Sequence, residues 1–409
     1  MRGHFFLLAI CALASTTAHG DSLNCRLVGR CNTPGTAWEV AVVGNYAYVA
    51  DYDSGLRVVS ISDPAHPTEV GYCATPGNAY GVAVVGNYAY VGDQVAGLRV
   101  ISVSDPTHPM EVGHCATPGW AYRVAVAGNY AYVGDMSAGL RVISVSDPAH
   151  PTEVGCCDTL SPVWGVAVTG GYAYVADFLP GLGVMSVADP AHPVEVSHYT
   201  TTDYSLGIAA AGNYVYVADG TAGLRVISVA DPAHPVEAGF YDSPGNAVGV
   251  AVSGDYAYLA DGYPTLRVVS VSDPAHPVQV GYYDTPGHTM GVALDGGYVY
   301  VADEEGGLGI YQFYGAGVEE ERSTPHALRV TPVPTVVRGV LEVPPGKPGQ
   351  STTGQSLVFL LDIAGRKVME LHPGPNDVSR FGPGVYFVRS GPSAVSREPS
   401  AVCKVVIQR

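Results

Sequence analysis

The sequence predicts an all-β fold: a seven-bladed β-propeller of four-stranded, 42-residue repeats, followed by a small Ig-like β-sandwich. Three observations predict it. First, Gly44-Asn45-Tyr46-Ala47-Tyr48-Val49-Ala50-Asp51 returns with its aspartate at Asp93, Asp135, Asp177, Asp219, Asp261 and Asp303, every 42 residues and without an insertion. A fixed period of this size, filled with short strands, marks a propeller or another solenoid. Second, turn residues cut each unit into four apolar runs, in the second unit Tyr80 to Val85, Tyr88 to Gly92, Leu98 to Val103 and Met110 to Ala116. Four antiparallel strands make one blade. Third, the two ends of the array are complementary. The stretch Val28 to Gly35 matches Val70 to Gly77 and stands alone as a fourth strand, whereas the last unit stops after three strands near Tyr314. Joining them completes a seventh blade and removes the free edge, while an open solenoid is expected to carry polar caps.

The chain begins with Met1-Arg2-Gly3-His4, the apolar run Phe5 to Ala14 and the small-residue exit Ala18-His19-Gly20. This reads as a secretory signal peptide over residues 1–20, cleaved near Asp21. Lipidation at Cys11 is disfavoured by the bulky Ile10 before it and by its place inside the apolar run. The propeller then occupies residues 21–314, a polar linker 315–326 and the last domain 327–409. No later run is long enough to cross a bilayer as a helix, so the expected product is exported, secreted or displayed at the outer cell surface, and monomeric. The net charge is −17, and the three lysines, Lys347, Lys367 and Lys404, all follow the repeats. That balance argues against nucleic acid or an anionic membrane as partner and leaves the repeats no amine for Schiff-base chemistry.

Cys31, Cys73, Cys115 and Cys157 share one repeat position. Equivalent sites on successive blades are expected to lie beyond the Cα separation of about 7 Å that a disulfide tolerates, so these read as small apolar fillers of an outer strand. Cys25, Cys156 and Cys403 leave more than one pairing open.

The units also carry a family resemblance. Gly97-Leu98-Arg99-Val100-Ile101-Ser102-Val103-Ser104-Asp105-Pro106, preceded by Tyr90-Val91-Gly92-Asp93, resembles the LVIVD repeats of bacterial exported proteins over roughly residues 25–314. The resemblance implies a β-propeller and names no reaction or ligand.

Most repeated polar residues have structural uses. Asp51 and its equivalents end the second strand, and Arg57, Arg99, Arg141, Arg225 and Arg267 begin the third, so a hairpin would join them as ion pairs or capped turns. Gly183 and Gly309 replace the arginine in the fourth and seventh units, which leaves Asp177 and Asp303 without that partner. The run Asp63-Pro64-Ala65-His66-Pro67 and its equivalents read as tight turns rather than as a histidine metal ring, because adjacent blades would hold the imidazoles too far apart. Calcium is the one ion suggested, at Asp51 and Asp53 and at Asp303 and Glu305, although neither loop has the twelve-residue ligand pattern. No catalytic motif and no cofactor are expected.

Function is expected where the repeats differ. The first strands of a propeller line its channel, and the loops entering them share a face with the loops between second and third strands. The entry position reads Trp38, Tyr80, Tyr122, Trp164, Leu206, Val248 and Met290, with Trp120, Tyr204 and His288 two residues earlier in three units. Glycine usually follows the entry residue, yet Glu39 and Arg123 stand there in the first and third units. This set reads as the mouth of a site for an extracellular protein, peptide or glycan. The competing reading, which the sequence favours somewhat, is that the rings pack between blades.

The last domain resembles the C-terminal sorting domain of type IX secretion cargo. Leu361-Asp362-Ile363-Ala364-Gly365-Arg366-Lys367-Val368 is similar to its Asp-x-x-Gly-Arg turn, Gly384-Val385-Tyr386 to its Gly-x-Tyr strand, and Lys404 to Arg409 to its basic last strand. Pro332-Val333-Pro334 departs from the usual Pro-Asn-Pro opening, and an Ig-like domain with a purely structural role is the alternative. The resemblance implies contact of residues 327–409 with outer-membrane secretion machinery. The expected function is thus a non-enzymatic binding protein. The alternative is a propeller hydrolase or lyase acting on an extracellular polymer, with Glu39, Asp177 or Asp303 as its acids.

Overall fold

The computed structural model describes residues 22–315 except 180 and 263, and beyond them the backbone of seven strands between 335 and 407. The leader 1–20, the linker from residue 316 and the turns proposed for the last domain lie outside the described residues.

Alternating apolar residues and turn glycines give each 42-residue unit four antiparallel strands, in blade 2 Gly81–Val85, Tyr88–Gly92, Leu98–Ser102 and Met110–Cys115. Their order in space is their order in sequence. The first strands neighbour one another round a closed ring, the strand Gly291–Asp295 of blade 7 touching Glu39–Val43 of blade 1. The core lies between blades. Tyr48, Leu56 and Val58 of blade 1 pack on Ala89, Val91 and Ile101 of blade 2, and each later interface repeats the pattern. Fully burying one such side chain is worth about 1.5–3 kcal/mol, so stability is distributed over the ring of interfaces.

Blade 7 closes as expected: Cys25–Cys31 pairs antiparallel with Leu308–Phe313. One element was not legible in the sequence. Ser22–Leu23 adds a fifth strand to blade 6 by pairing with Tyr283 and Tyr282. The chain crosses from blade 6 to blade 7 at Asn24, whose φ is 54° and whose side-chain amide donates to the Val280 carbonyl at 2.7 Å. Asparagine tolerates this left-handed conformation because its short polar side chain bonds locally.

The Asp-Pro-x-His-Pro runs are self-contained turns. Asp63 accepts from the Ala65 N–H at 3.1 Å and meets His66 Nδ1 at 2.9 Å. These turns also join blades. A Cβ on Gly71, in the fourth strand of blade 1, would stand 2.3 Å from the Pro106 carbonyl of blade 2. Where blade 4 has Ser197 instead, its hydroxyl donates to the Pro232 carbonyl at 2.6 Å. Cys31, Cys73, Cys115 and Cys157 are half-buried free thiols, and Cys156 is an exposed one.

The chain divides into two compact units between Glu320 and Glu321. In the second, Thr335–Val337, Val402–Ile407, Gly384–Ser390, Val358–Leu361 and Lys367–Leu371 form a five-stranded sheet in that order, the first pair parallel, and Val340–Val343 pairs with Gly374–Asp377. No helix among the described residues is long and apolar enough to cross a membrane.

Candidate functional site

The loop after each second strand is bridged to the loop entering the next blade, as Tyr52 is to Ala79, Gln94 to Ala121 and Glu304 to Ala37. This places both loop sets on one face, as the sequence requires. The repeated aspartates hold that face together. Asp51 is fully buried and accepts from the Thr33 hydroxyl at 2.5 Å and the Gly35 N–H at 2.8 Å. Arg57, Arg99, Arg141 and Arg225 lie 3.5–3.8 Å from their aspartates, and Arg267 pairs with Asp261 in the same way.

One of the two arginine-free blades departs from expectation. Asp303 is not left alone: Arg30 of the closing strand comes within 3.6 Å of its Oδ2 and donates to the Gly306 carbonyl at 2.8 Å. Ring closure supplies the cation that Gly309 removed, and the Tyr311 ring lies over that glycine. Asp177 has no such substitute. It is 4% exposed, and its Oδ1 has no hydrogen-bond partner. Burial pushes its carboxyl up to about 7; the Ser161 and Leu160 backbone offsets this only in part, and Glu195 adds to it.

Of the predicted site residues, Trp38, Tyr80, Tyr122 and Trp164 form a continuous arc. Trp38 meets Tyr80 edge-on at 4.7 Å, Tyr80 stacks on Tyr122 at 4.3 Å, and Tyr122 meets Trp164 at 4.8 Å between ring centroids. Two residues absent from the sequence-based set extend it. Tyr52 packs against Tyr80 at 5.3 Å, and Phe178 stacks between Trp164 at 5.8 Å and Tyr204 at 4.2 Å. Both directly follow a repeated aspartate, in a column that reads Tyr52, Gln94, Met136, Phe178, Gly220, Gly262 and Glu304. That variability was the available signal. Tyr52, Gln94, Met136 and Glu304 adopt φ of 40–50°, where blades 5 and 6 use glycine. Such strain, about 1–3 kcal/mol per residue, persists only where surroundings enforce it and clusters at functional sites. Trp120 stays outside the arc, 49% exposed, and His288 pairs with Glu304 at 3.2 Å.

Inside the arc, Glu39 Oε1 lies 2.6 Å from Arg123 Nη1, and Glu39 Oε2 accepts from the Val82 N–H at 3.1 Å. With glycines from the other blades they line a cavity of about 60 Å³ at the channel. A Cβ on Gly207 or Gly249 would stand 2.4 Å from a carbonyl of the next blade, so in those blades adjacent first strands approach too closely for a side chain. Tyr122 is buried, while Trp38, Tyr80 and Trp164 are half-exposed. Burial and the neighbouring Tyr52 hydroxyl push the Tyr80 phenol up to about 12. Asp53 and Glu305 are exposed, whereas Asp51 and Asp303 are buried in their turns. No group of three or more His, Cys, Asp or Glu among the described residues is arranged to hold a metal ion.

The LVIVD repeat profile matches residues 34–75, 76–117, 118–159, 162–201, 204–243, 244–285 and 286–310. The chain belongs to the LVIVD repeat family. Each match from 34 to 159 starts at the proline of the entry loop and ends after the fourth strand of the same unit, whereas the last match of this LVIVD protein ends within the third strand of blade 7. No curated protein matches it. Among solved structures it is similar to the β-propeller domain of Cps50 (Swd1) from Myceliophteria thermophila, with TM-score 0.58 and 11% identity over 70% of this chain and 99% of that one. The WD40 β-propeller domain of Doa1 gives 0.57 and 13% over 72% and 97%, and the computationally designed Ika8 protein 0.52 and 10% over 70% and 99%. At these identities the likeness is one of fold.

Proposed function

We propose that this LVIVD protein is an exported, non-enzymatic binding protein whose propeller presents the channel-mouth face of blades 1–5 to an extracellular ligand. The observation that carries the reading is the confinement of seven touching rings, from Tyr52 to Tyr204, to that face. Aromatic side chains give large contact area at low entropic cost, and large exposed apolar patches mark binding sites. The acids of the competing hydrolase reading are poorly placed for catalysis. Glu39 is engaged by Arg123 and Val82, Asp303 by Arg30, and Asp177 is buried beneath the surface, whereas general acid–base work needs a carboxyl within hydrogen-bond reach of substrate.

Export rests on the leader at residues 1–20 and on the similarity of residues 327–409 to type IX sorting domains. Two experiments test the proposal. Replacing Trp38, Trp164 and Glu39 together by alanine should abolish binding across a glycan and peptide array, and unchanged binding would refute the role of the face. Deleting residues 327–409 should abolish surface display in a host with the secretion system, and continued display would refute the sorting role.

A further inference from the structure

The channel-mouth face is chemically lopsided, and the asymmetry names a ligand class. Over blades 2–4 its loops lift aliphatic groups into solvent: Val95 is 65% exposed, Leu160 76% and Leu179 54%, beside the half-exposed indole of Trp120. At the blade 7 and blade 1 boundary the same face is acidic. Glu304 and Glu305 sit in the loop bridged to Ala37, next to Trp38, and exposed Asp53 follows Tyr52 in the next such loop, between blades 1 and 2. The basic groups beside them are already engaged, His288 with Glu304 and Arg30 with Asp303 and the Gly306 carbonyl. No lysine lies in the propeller, and every arginine among residues 22–315 already has an acceptor: Arg26 bonds Gln312, Arg123 meets Glu39, and the others meet aspartates.

Ring geometry bears on the choice between sugar and peptide. Sugars are held on free ring faces flanked by polar groups, but here the faces are spent on one another: Tyr80 on Tyr122, and Phe178 between Trp164 and Tyr204 with planes 23° and 10° apart. Around these stacked rings stand the exposed branched side chains Val95, Leu160 and Leu179, a lining suited to apolar side chains.

We propose that this face binds a protein segment carrying bulky apolar side chains next to lysine or arginine, the apolar part over blades 2–4 and the basic part at Glu304, Glu305 and Asp53. The inference rests on the reading of the face as a binding surface and adds the chemistry of its occupant. An acidic end selects its partner mainly by excluding like charge and by steering, so recognition weakens with salt.

The test uses the full chain on three immobilised probes: synthetic twelve-residue peptides pairing a Leu/Phe-rich half with a Lys/Arg half, the same peptides with Glu in the basic half, and a neutral glycan array. The basic set should bind at least tenfold more tightly than the acidic set. Leu160→Asp with Leu179→Asp should cost tenfold or more, and Glu304→Gln with Glu305→Gln should narrow the gap between the sets. All four side chains lie at the surface, and matching thermal melts would confirm folding. Equal binding of the two peptide sets, or binding to glycans alone that Trp38→Ala removes, would overturn the peptide inference and leave the binding face standing. Absence of binding to every probe, or binding indifferent to all these variants, would overturn both.

Discussion

Glu39 of blade 1 and Arg123 of blade 3 form an ion pair across the blade between them, 2.6 Å from oxygen to nitrogen. Gly81 of blade 2 makes this possible. A Cβ there would stand 2.3 Å from the Tyr122 carbonyl and 3.1 Å from Glu39 Oε2. The position after the entry residue in three consecutive blades is thus one unit, with a carboxylate, a gap and a guanidinium in sequence order.

Gly81→Ala is therefore expected to destabilise the propeller by about 1–3 kcal/mol through forced backbone movement, read as a lower urea midpoint. Glu39→Gln should cost less, because the Val82 N–H keeps an acceptor. A double-mutant cycle of Glu39→Gln with Arg123→Met should show coupling of about 0.5–3 kcal/mol, as expected for residues in contact; strict additivity would deny the pair any energetic role.

Asp177 makes stability depend on pH in an identifiable direction. Its folded value of about 7 lies above the ordinary value of about 3.9 for an unfolded chain. The unfolded chain loses this proton first as pH rises, so the stability is fully present below about pH 4 and is lost progressively toward pH 7. Thermal melts of Asp177→Asn and wild type should coincide in this respect at pH 4 and diverge by pH 8, with the asparagine variant the more stable by on the order of a few kcal/mol. Gly183→Arg alone should clash, since its Cβ would meet Val175 at 2.7 Å and the Met185 methyl at 3.0 Å. Combined with Met185→Ile, which reproduces blades 2, 3 and 5, it should remove the pH dependence. A gap that does not change with pH would refute the assignment.

The ring clasp has an inner polar lock, Arg30 to Asp303 and the Gly306 carbonyl, and an exposed one, Arg26 to Gln312. Arg30→Ala leaves the buried Asp303 without its cation and should lower stability by about 2–4 kcal/mol. Hydrogen exchange should quicken first in Cys25–Cys31 and Leu308–Phe313; uniform quickening over all blades would mean that the clasp is not the weak point.

The three tryptophans report on one face. Trp120 is half-exposed and outside the arc, whereas Trp38 and Trp164 are packed against neighbouring rings. Acrylamide should quench chiefly Trp120, and Trp120→Phe should remove most of the accessible fraction. If Trp38→Phe removed it instead, the arc would be looser than described.

Thiol reactivity should separate by position. Burial pushes the Cys31, Cys73, Cys115 and Cys157 thiols up, toward the unreactive neutral form, while Cys156 is exposed. With a disulfide reagent at pH 7.5, Cys156→Ser should delete one fast equivalent and Cys115→Ser none.

The sequence by itself determined what repetition enforces. A 42-residue period fixed the strand order and the blade, and the unmatched fourth strand at one end and three strands at the other fixed the count and the clasp. It also determined the pairing of the repeated aspartates with arginine, because a hairpin brings Asp51 and Arg57 together. It placed Trp38, Tyr80, Tyr122 and Trp164 on one face, because strand and loop alternation settles which way a loop points. The tertiary structure decided what depends on atoms from different repeats. The sequence leaves Asp303 unpaired until the ring closes and brings Arg30 across it, and it treats Asp177 alike although no cation among the described residues pairs with it. Tyr52 and Phe178 joined the arc because a left-handed turn and a stacking distance, neither encoded in residue type, carried their rings inward. Glu39 met Arg123 because the blade between them carries glycine. Local periodicity is a property of one unit, whereas these contacts are properties of neighbours brought together by closure, and only the closed ring sets their distances.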